Sequence, residues 1–169
     1  MLIASYNPKN TGDTMVVIIN QDVDNQETVV HDNVARIYDS KTDQTLGYNF
    51  LKASQILPEV IDQNGQIDLT EGQVQRLNQF LTAHGFPGDL KADEEARFVV
   101  GYVKTMTDHP RSDHLKITTT EVDNGQEVQI VSGSPNMQAG IKVVVAKIGA
   151  MMPNGLIIWP GELRGVESD

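Results

Sequence analysis

The sequence predicts two folded units in tandem. An α+β domain covers residues 1–90, a linker covers 91–97, and an all-β domain covers 98–169. Three observations carry this division. Short β-prone runs separated by Asn, Asp and Gly turns precede one amphipathic helix in the first half. The segment GFPGDLKADEEAR (85–97) then breaks the periodicity with Gly85, Pro87 and Gly88 and turns acidic at Asp93, Glu94 and Glu95. Beyond it, five short strand-like runs follow one another with no helical period between them.

In the first half, MVVIIN (15–20), ETVVH (27–31), VARIYDS (34–40) and TLGYNFL (45–51) are expected strands of an antiparallel meander. IDQNGQIDL adds a turn at Asn64-Gly65. The helix LTEGQVQRLNQFLTAHG has both ends marked. Thr70 and Gln73 have the spacing of a capping box, and Gly85 sits where a left-handed residue ends a helix. Val74, Leu77 and Leu81 give it one apolar face. His31, next to Asp32, and His84, near the helix end, read as surface residues.

In the second half, RFVVGYVKTM (97–106) is a strand whose interior Gly101 marks a bend. LKITTTEVDNGQEVQIV (115–131) is two strands joined at Asn124-Gly125, the strongest local hairpin signal because both turn residues must accept positive φ. KVVVAKI (142–148) is apolar enough to be a buried fourth strand, and LIIW (156–159), entered through PNG, is a fifth. Five short strands in this space predict a closed five-stranded Greek-key barrel, of which the OB-fold is the common case.

Composition narrows the function. Of 169 residues 39% are hydrophobic, enough for a core built on Val, Ile and Leu. There is no cysteine, which excludes disulfides, thiolate metal sites and a cysteine nucleophile. The opening residues lack a basic stretch followed by an apolar run, and no apolar segment is long enough to span a bilayer, so a cytoplasmic protein is the default expectation. With 13 Lys+Arg against 23 Asp+Glu the net charge is −10, unfavourable to a polyanionic partner unless cations are placed locally.

The most loaded stretch is HPRSDHL (109–115), in the loop between the first two strands of the second unit. A metal site needs at least three ligands, and His109 and His114 have no further His or Cys in the domain. A Ser132/His109/Asp113 hydrolase is also disfavoured, since IVSGSPN is not a nucleophile elbow. No metal or cofactor is expected. A stiff polar loop without a task competes with a contact loop. The first loop of an OB barrel flanks its ligand face, where Arg111 offers a planar fork for phosphate and His109 a ring for a base or sugar. Lys104, Lys116, Lys142, Lys147 and Arg164 join Arg111 if they share one side.

The stretches FVVGYV, HPRSDHLKI, VQIVSGSPNM, GIKVVVAKIGAMMPNGLII and ELRGVES, in order, resemble the tRNA-binding domain of the phenylalanyl-tRNA synthetase beta chain and of the methionyl-tRNA synthetase C-terminus. GDTMVVIINQD, GYNFLKAS and DQNGQIDLTEGQVQRLN resemble the N-terminal region of the bacterial YtpR family, so the whole chain is similar to a YtpR-type protein. The resemblance implies non-catalytic tRNA binding by shape and backbone on an OB-fold face. Carried onto this chain, it puts His109, Arg111, Asp113, Asn136, Lys147, Arg164 and Ser168 at the RNA. Arg111 and Ser112 stand where the family commonly has Asp and Ala, and Ser132 where it has Cys. The family pattern also continues past ELRGVES, so a C-terminal tail is expected to be missing. The alternative expectation is a protein-interaction module that self-associates or docks on a synthetase, suited to the acidic charge.

Overall fold

A computed structural model describes residues 1–169. The chain falls into two compact units, Met1–Glu94 and Glu95–Asp169. No helix is long and apolar enough to cross a membrane.

The first unit runs β1 (Ile3–Tyr6), α1 (Pro8–Thr11), β2 (Thr14–Ile18), β3 (Gln26–His31), β4 (Val34–Asp39), β5 (Thr45–Leu51), α2 (Ala53–Ile56), β6 (Gly65–Ile67) and α3 (Glu71–Ala83). Its six strands form one antiparallel sheet in the order β3-β4-β5-β2-β1-β6. Strand β1 has too few residues to show a period, and it exists because β2 and β6 pair with it on both sides. Helix α3 has the expected capping box, with Gln73 N–H donating to Thr70 Oγ1 and Thr70 N–H to Gln73 Oε1. At its other end Phe86 N–H donates to Leu81 O and Gly85 N–H to Thr82 O, the paired bonds of a Schellman ending.

Val74, Leu77 and Leu81 of α3 pack on Tyr6, Met15, Val34, Tyr48 and Phe50 of the sheet. The segment after α3 belongs to the same core, because Phe86 and Leu90 are buried in it. His31 stacks on Phe86 at 4.8 Å and its Nδ1 lies 3.1 Å from His84 O, tying the β3–β4 hairpin to the helix end.

The second unit is all β: β7 (Phe98–Asp108), β8 (Lys116–Glu121), β9 (Glu127–Ser132), β10 (Lys142–Ala146), β11 (Gly161–Leu163) and β12 (Val166–Ser168). Four strands form an antiparallel sheet, β10-β7-β8-β9, and β11 pairs with β12 as a hairpin. Val99, Val103, Val122, Val131 and Val145 are buried in this unit. The buried Thr118 and Thr120 bond each other at 3.1 Å, and Thr118 donates to Ile130 O. Gly101 lies where β7 passes from its pairing with β10 to its pairing with β8. A side-chain carbon there would come within 2.7 Å of both Thr120 Cγ2 and Val145 Cγ2. Asn124 and Gly125 both have positive φ, as the hairpin signal requires, but within a five-residue connection rather than a two-residue turn.

Two expectations fail here. The sheet is not closed into a five-stranded barrel, and LIIW is not a strand of it. The Pro153-Asn154-Gly155 turn folds residues 156–158 back on 149–152, where Ile157 bridges Met151 and Ile158 N–H donates to Ala150 O. Local pairing captures the backbone groups that a sheet strand would have used. Strand β10 is correspondingly an edge, and Val144, expected to be buried, is 76% exposed.

Candidate nucleic-acid interface

The HPRSDHL loop is folded by its own side chains. Leu115 is buried as an anchor, His109 N–H donates to Leu115 O, and Leu115 N–H donates to Ser112 Oγ at 3.3 Å. His109 faces inward and is 3% exposed. Its Nδ1 accepts the Arg111 N–H at 3.0 Å and its Nε2 lies 3.0 Å from Leu163 O. A carbonyl only accepts, so the ring is the tautomer with its proton on Nε2. Both nitrogens are committed within the chain and the ring is buried, which leaves neither a free donor nor an open face for a base. His114 points outward against Asp113, so the two histidines do not share a site.

Leu163 O belongs to the β11–β12 hairpin. Its two turn residues, Arg164 and Gly165, have φ of 50° and 76°, the primed geometry that matches strand twist. Arg164 Nη1 donates to Arg111 O at 2.9 Å, while the Arg111 guanidinium lies over Gly165. A side-chain carbon at 165 would come within 1.9 Å of Arg111 Nη2, so a larger residue there would displace the guanidinium, and the φ of 76° disfavours one besides. The tip of the hairpin and the loop are thus one surface carrying two exposed guanidiniums. Asp113 sits beside them. The His114 hydrogen bond, and then the His114 and Arg164 charges, hold its carboxyl below the usual carboxylate range.

The remaining sequence-derived residues divide. Ser168 Oγ accepts the Val131 N–H at 3.1 Å and fastens β12 to β9. Asn136 is exposed on the loop after β9, three residues beyond Gly133, whose neighbourhood includes Leu115. Lys147 is elsewhere. Its N–H donates to Arg97 O, next to the start of β7, while the HPRSDHL loop leaves the end of that eleven-residue strand. The separation along the strand is on the order of 30 Å. Its side chain is 15% exposed and its ammonium is paired with Glu95 and, at 3.6 Å, Asp123. The Glu95 hydrogen bond holds it above the ordinary lysine range.

Lys104 is paired with Glu127 at 2.6 Å and Glu121 at 3.4 Å, and Lys116 with Asp108. Of the six expected cations, Arg111 and Arg164 are the two placed against each other at the loop, Lys116 flanks it paired with Asp108, and Lys142 is exposed on β10 opposite Tyr102. The imagined Ser132/His109/Asp113 set does not assemble either, since Ser132 Oγ accepts Ser134 N–H and Asp113 pairs with His114.

Sequence reading overlooked the outer face of β7 and β10. Phe98, Val100, Tyr102 and Val144 are all exposed there, and only the register of Val144 opposite Val100 makes them neighbours. The alternation in FVVGYV was the available signal.

Comparison with known proteins adds five findings. Residues 98–169 match a family model described as "Putative tRNA binding domain", and residues 21–93 one described as a domain of unknown function, DUF4479. The chain is 42% identical over 168 residues to the "Putative tRNA-binding protein YtpR" of Bacillus subtilis (strain 168), covering 98% of this chain and 81% of that protein. It is 49% identical over 70 residues to the phenylalanine–tRNA ligase beta subunit of Acinetobacter baylyi, and 49% over 73 to that of Bacteroides fragilis. Each covers 41% of this chain and 9% of the ligase subunit.

Proposed function

The chain belongs to the YtpR family, and from that premise we propose that its C-terminal unit binds tRNA without catalysis, through phosphate contacts and shape. The observation that carries the reading is the paired Arg111 and Arg164, held together on one surface. Guanidinium forks suit phosphate, whereas an acidic chain without such a patch repels RNA. In this reading Arg111 and Arg164 contact phosphate, and Asn136 contacts sugar or base from the neighbouring loop. His109, Asp113 and Ser168 shape the surface, and Lys147 lies outside it. The sheet β10-β7-β8-β9 with its hairpin is taken as the family's OB-fold, with the ligand at the end that holds the first loop.

The test is a titration of labelled tRNA with the full chain at low and moderate salt. Binding that weakens measurably but shallowly with salt is expected, because each of the few neutralised phosphates releases counterions. No binding at low salt overturns the reading.

One observation favours a second reading, self-association through β10. That edge strand carries no proline or bulge, and Phe98, Val100, Tyr102 and Val144 form an exposed apolar strip beside it. Sedimentation of the chain and of Val144→Lys distinguishes the two. A dimer that dissociates in the variant, with tRNA binding absent from both, selects the second reading.

A further inference from the structure

We propose that His109 is a positioning residue that acts through Arg164: it pins the β11–β12 hairpin onto the HPRSDHL loop and so presents Arg164 to the ligand. The inference rests on the tRNA reading above for its effect on binding, but the pin itself is a property of the fold.

The hairpin has three residues in each strand. A two-stranded hairpin of that size is not stable alone in water, so its position depends on anchors. One end is fastened to β9, where Ser168 Oγ accepts Val131 N–H, Asp169 N–H donates to Gln129 O and Gln129 Nε2 donates to Glu167 O. The other end, with the arginine, is held by His109 Nε2–H to Leu163 O and by Arg164 to Arg111 O. The first of these is the buried one. His109 is 3% exposed, whereas Leu163 and Arg164 face solvent.

The same ring receives the Arg111 N–H on Nδ1, so one imidazole sets the direction of the Arg111 backbone and the placement of the Arg164 backbone together. Fixing a guanidinium before binding removes ordering entropy that an untethered hairpin tip would lose on contact with phosphate. A neutral side chain that never touches the ligand thereby governs an electrostatic contact.

The experiment compares wild type, Arg164→Ala, His109→Gln, His109→Asn and the His109→Asn/Arg164→Ala double variant of the full chain. Gln keeps an N–H donor at the reach of Nε2. Asn keeps only an acceptor near Nδ1 and loses the link to Leu163. Hydrogen exchange is followed for the amides of residues 161–168, alongside tRNA affinity across a salt series. In His109→Asn the hairpin amides should exchange faster while those of β8 and β9 do not, and His109→Gln should restore protection.

Arg164→Ala should weaken tRNA binding about fivefold and lower the salt slope by about one phosphate. His109→Asn should do the same despite removing no charge, and should add nothing in the Arg164→Ala background. Unchanged hairpin exchange in His109→Asn, or equal behaviour of Gln and Asn, overturns the pin. An affinity loss with the salt slope intact, or additive losses in the double variant, overturns its action through Arg164. Absence of tRNA binding by wild type defeats the tRNA reading, and with it the action on binding. The exchange data then decide the pin separately.

Discussion

Single residues on this chain gain or lose a role according to what surrounds them, and two cations show it. Arg164 is exposed at a hairpin tip with its guanidinium fixed by one backbone carbonyl. Lys147 is held between Glu95 and Asp123 at the opposite end of β7. Arg164→Ala should therefore cost on the order of 1 kcal/mol of tRNA affinity, while Lys147→Ala should leave affinity within error. Titrations of both variants at one salt concentration check the contrast, and equal losses would remove the assignment. Asp13 is a second residue-scale case. Burial by itself raises its carboxyl, but the Ser54 hydroxyl and N–H and the Tyr6 hydroxyl donate to it and bring it below the ordinary range. A carboxylate depressed in the folded state stabilises the fold at pH above its unfolded value of about 3.9, and that stability is lost as pH falls through the lower folded value. Ser54→Ala, which removes a donor, should shift acid unfolding to higher pH. Circular dichroism along an acid titration reads the midpoint, and Asp13→Asn should abolish the difference.

Elements are decided partly by local chemistry and partly by neighbours. Helix α3 was fully legible: its cap box, apolar face and Schellman ending are written in consecutive residues, and each interaction is made within a turn or two. Thr70→Ala should lower stability by about 1 kcal/mol, measured by urea unfolding, since it strips one partner from an orphan N–H. Strand β7 depends on its neighbours. Gly101 sits where side chains of β8 and β10 converge, so Gly101→Ala should destabilise the second unit by about 1–3 kcal/mol through overpacking. A variant as stable as wild type would show that the neighbouring side chains do not require an empty position. The hairpin β11–β12 and the folded-back segment 149–158 were not legible as such. LIIW has strand composition, but the turn before it offers a nearer partner than the sheet. Composition specifies that a run pairs, not with what.

At the scale of the molecule, a net charge of −10 sets the terms on which any polyanion is met. If only the Arg111 and Arg164 forks neutralise phosphate, the logarithmic salt slope of tRNA binding should have a magnitude of about 2, well short of the steep dependence of strongly basic binders. A salt series on the full chain measures it, and a slope several times larger would mean that further cations take part. The antiparallel meander, the capped helix and the all-β second half follow from the chain alone, because turn residues, caps and short apolar periods act over a few positions. The sequence also carried the ordered motifs that place the chain in its family. Only the tertiary structure decided that the sheet stays open at β10, that His109 turns inward, that Arg111 and Arg164 meet and that Lys147 does not. Those outcomes depend on strand order and register, which bring together residues more than fifty positions apart, such as Arg111 and Arg164. Coulomb and hydrogen-bond energies fall off over a few ångströms of space, and a linear sequence does not state which distant residues lie within that range.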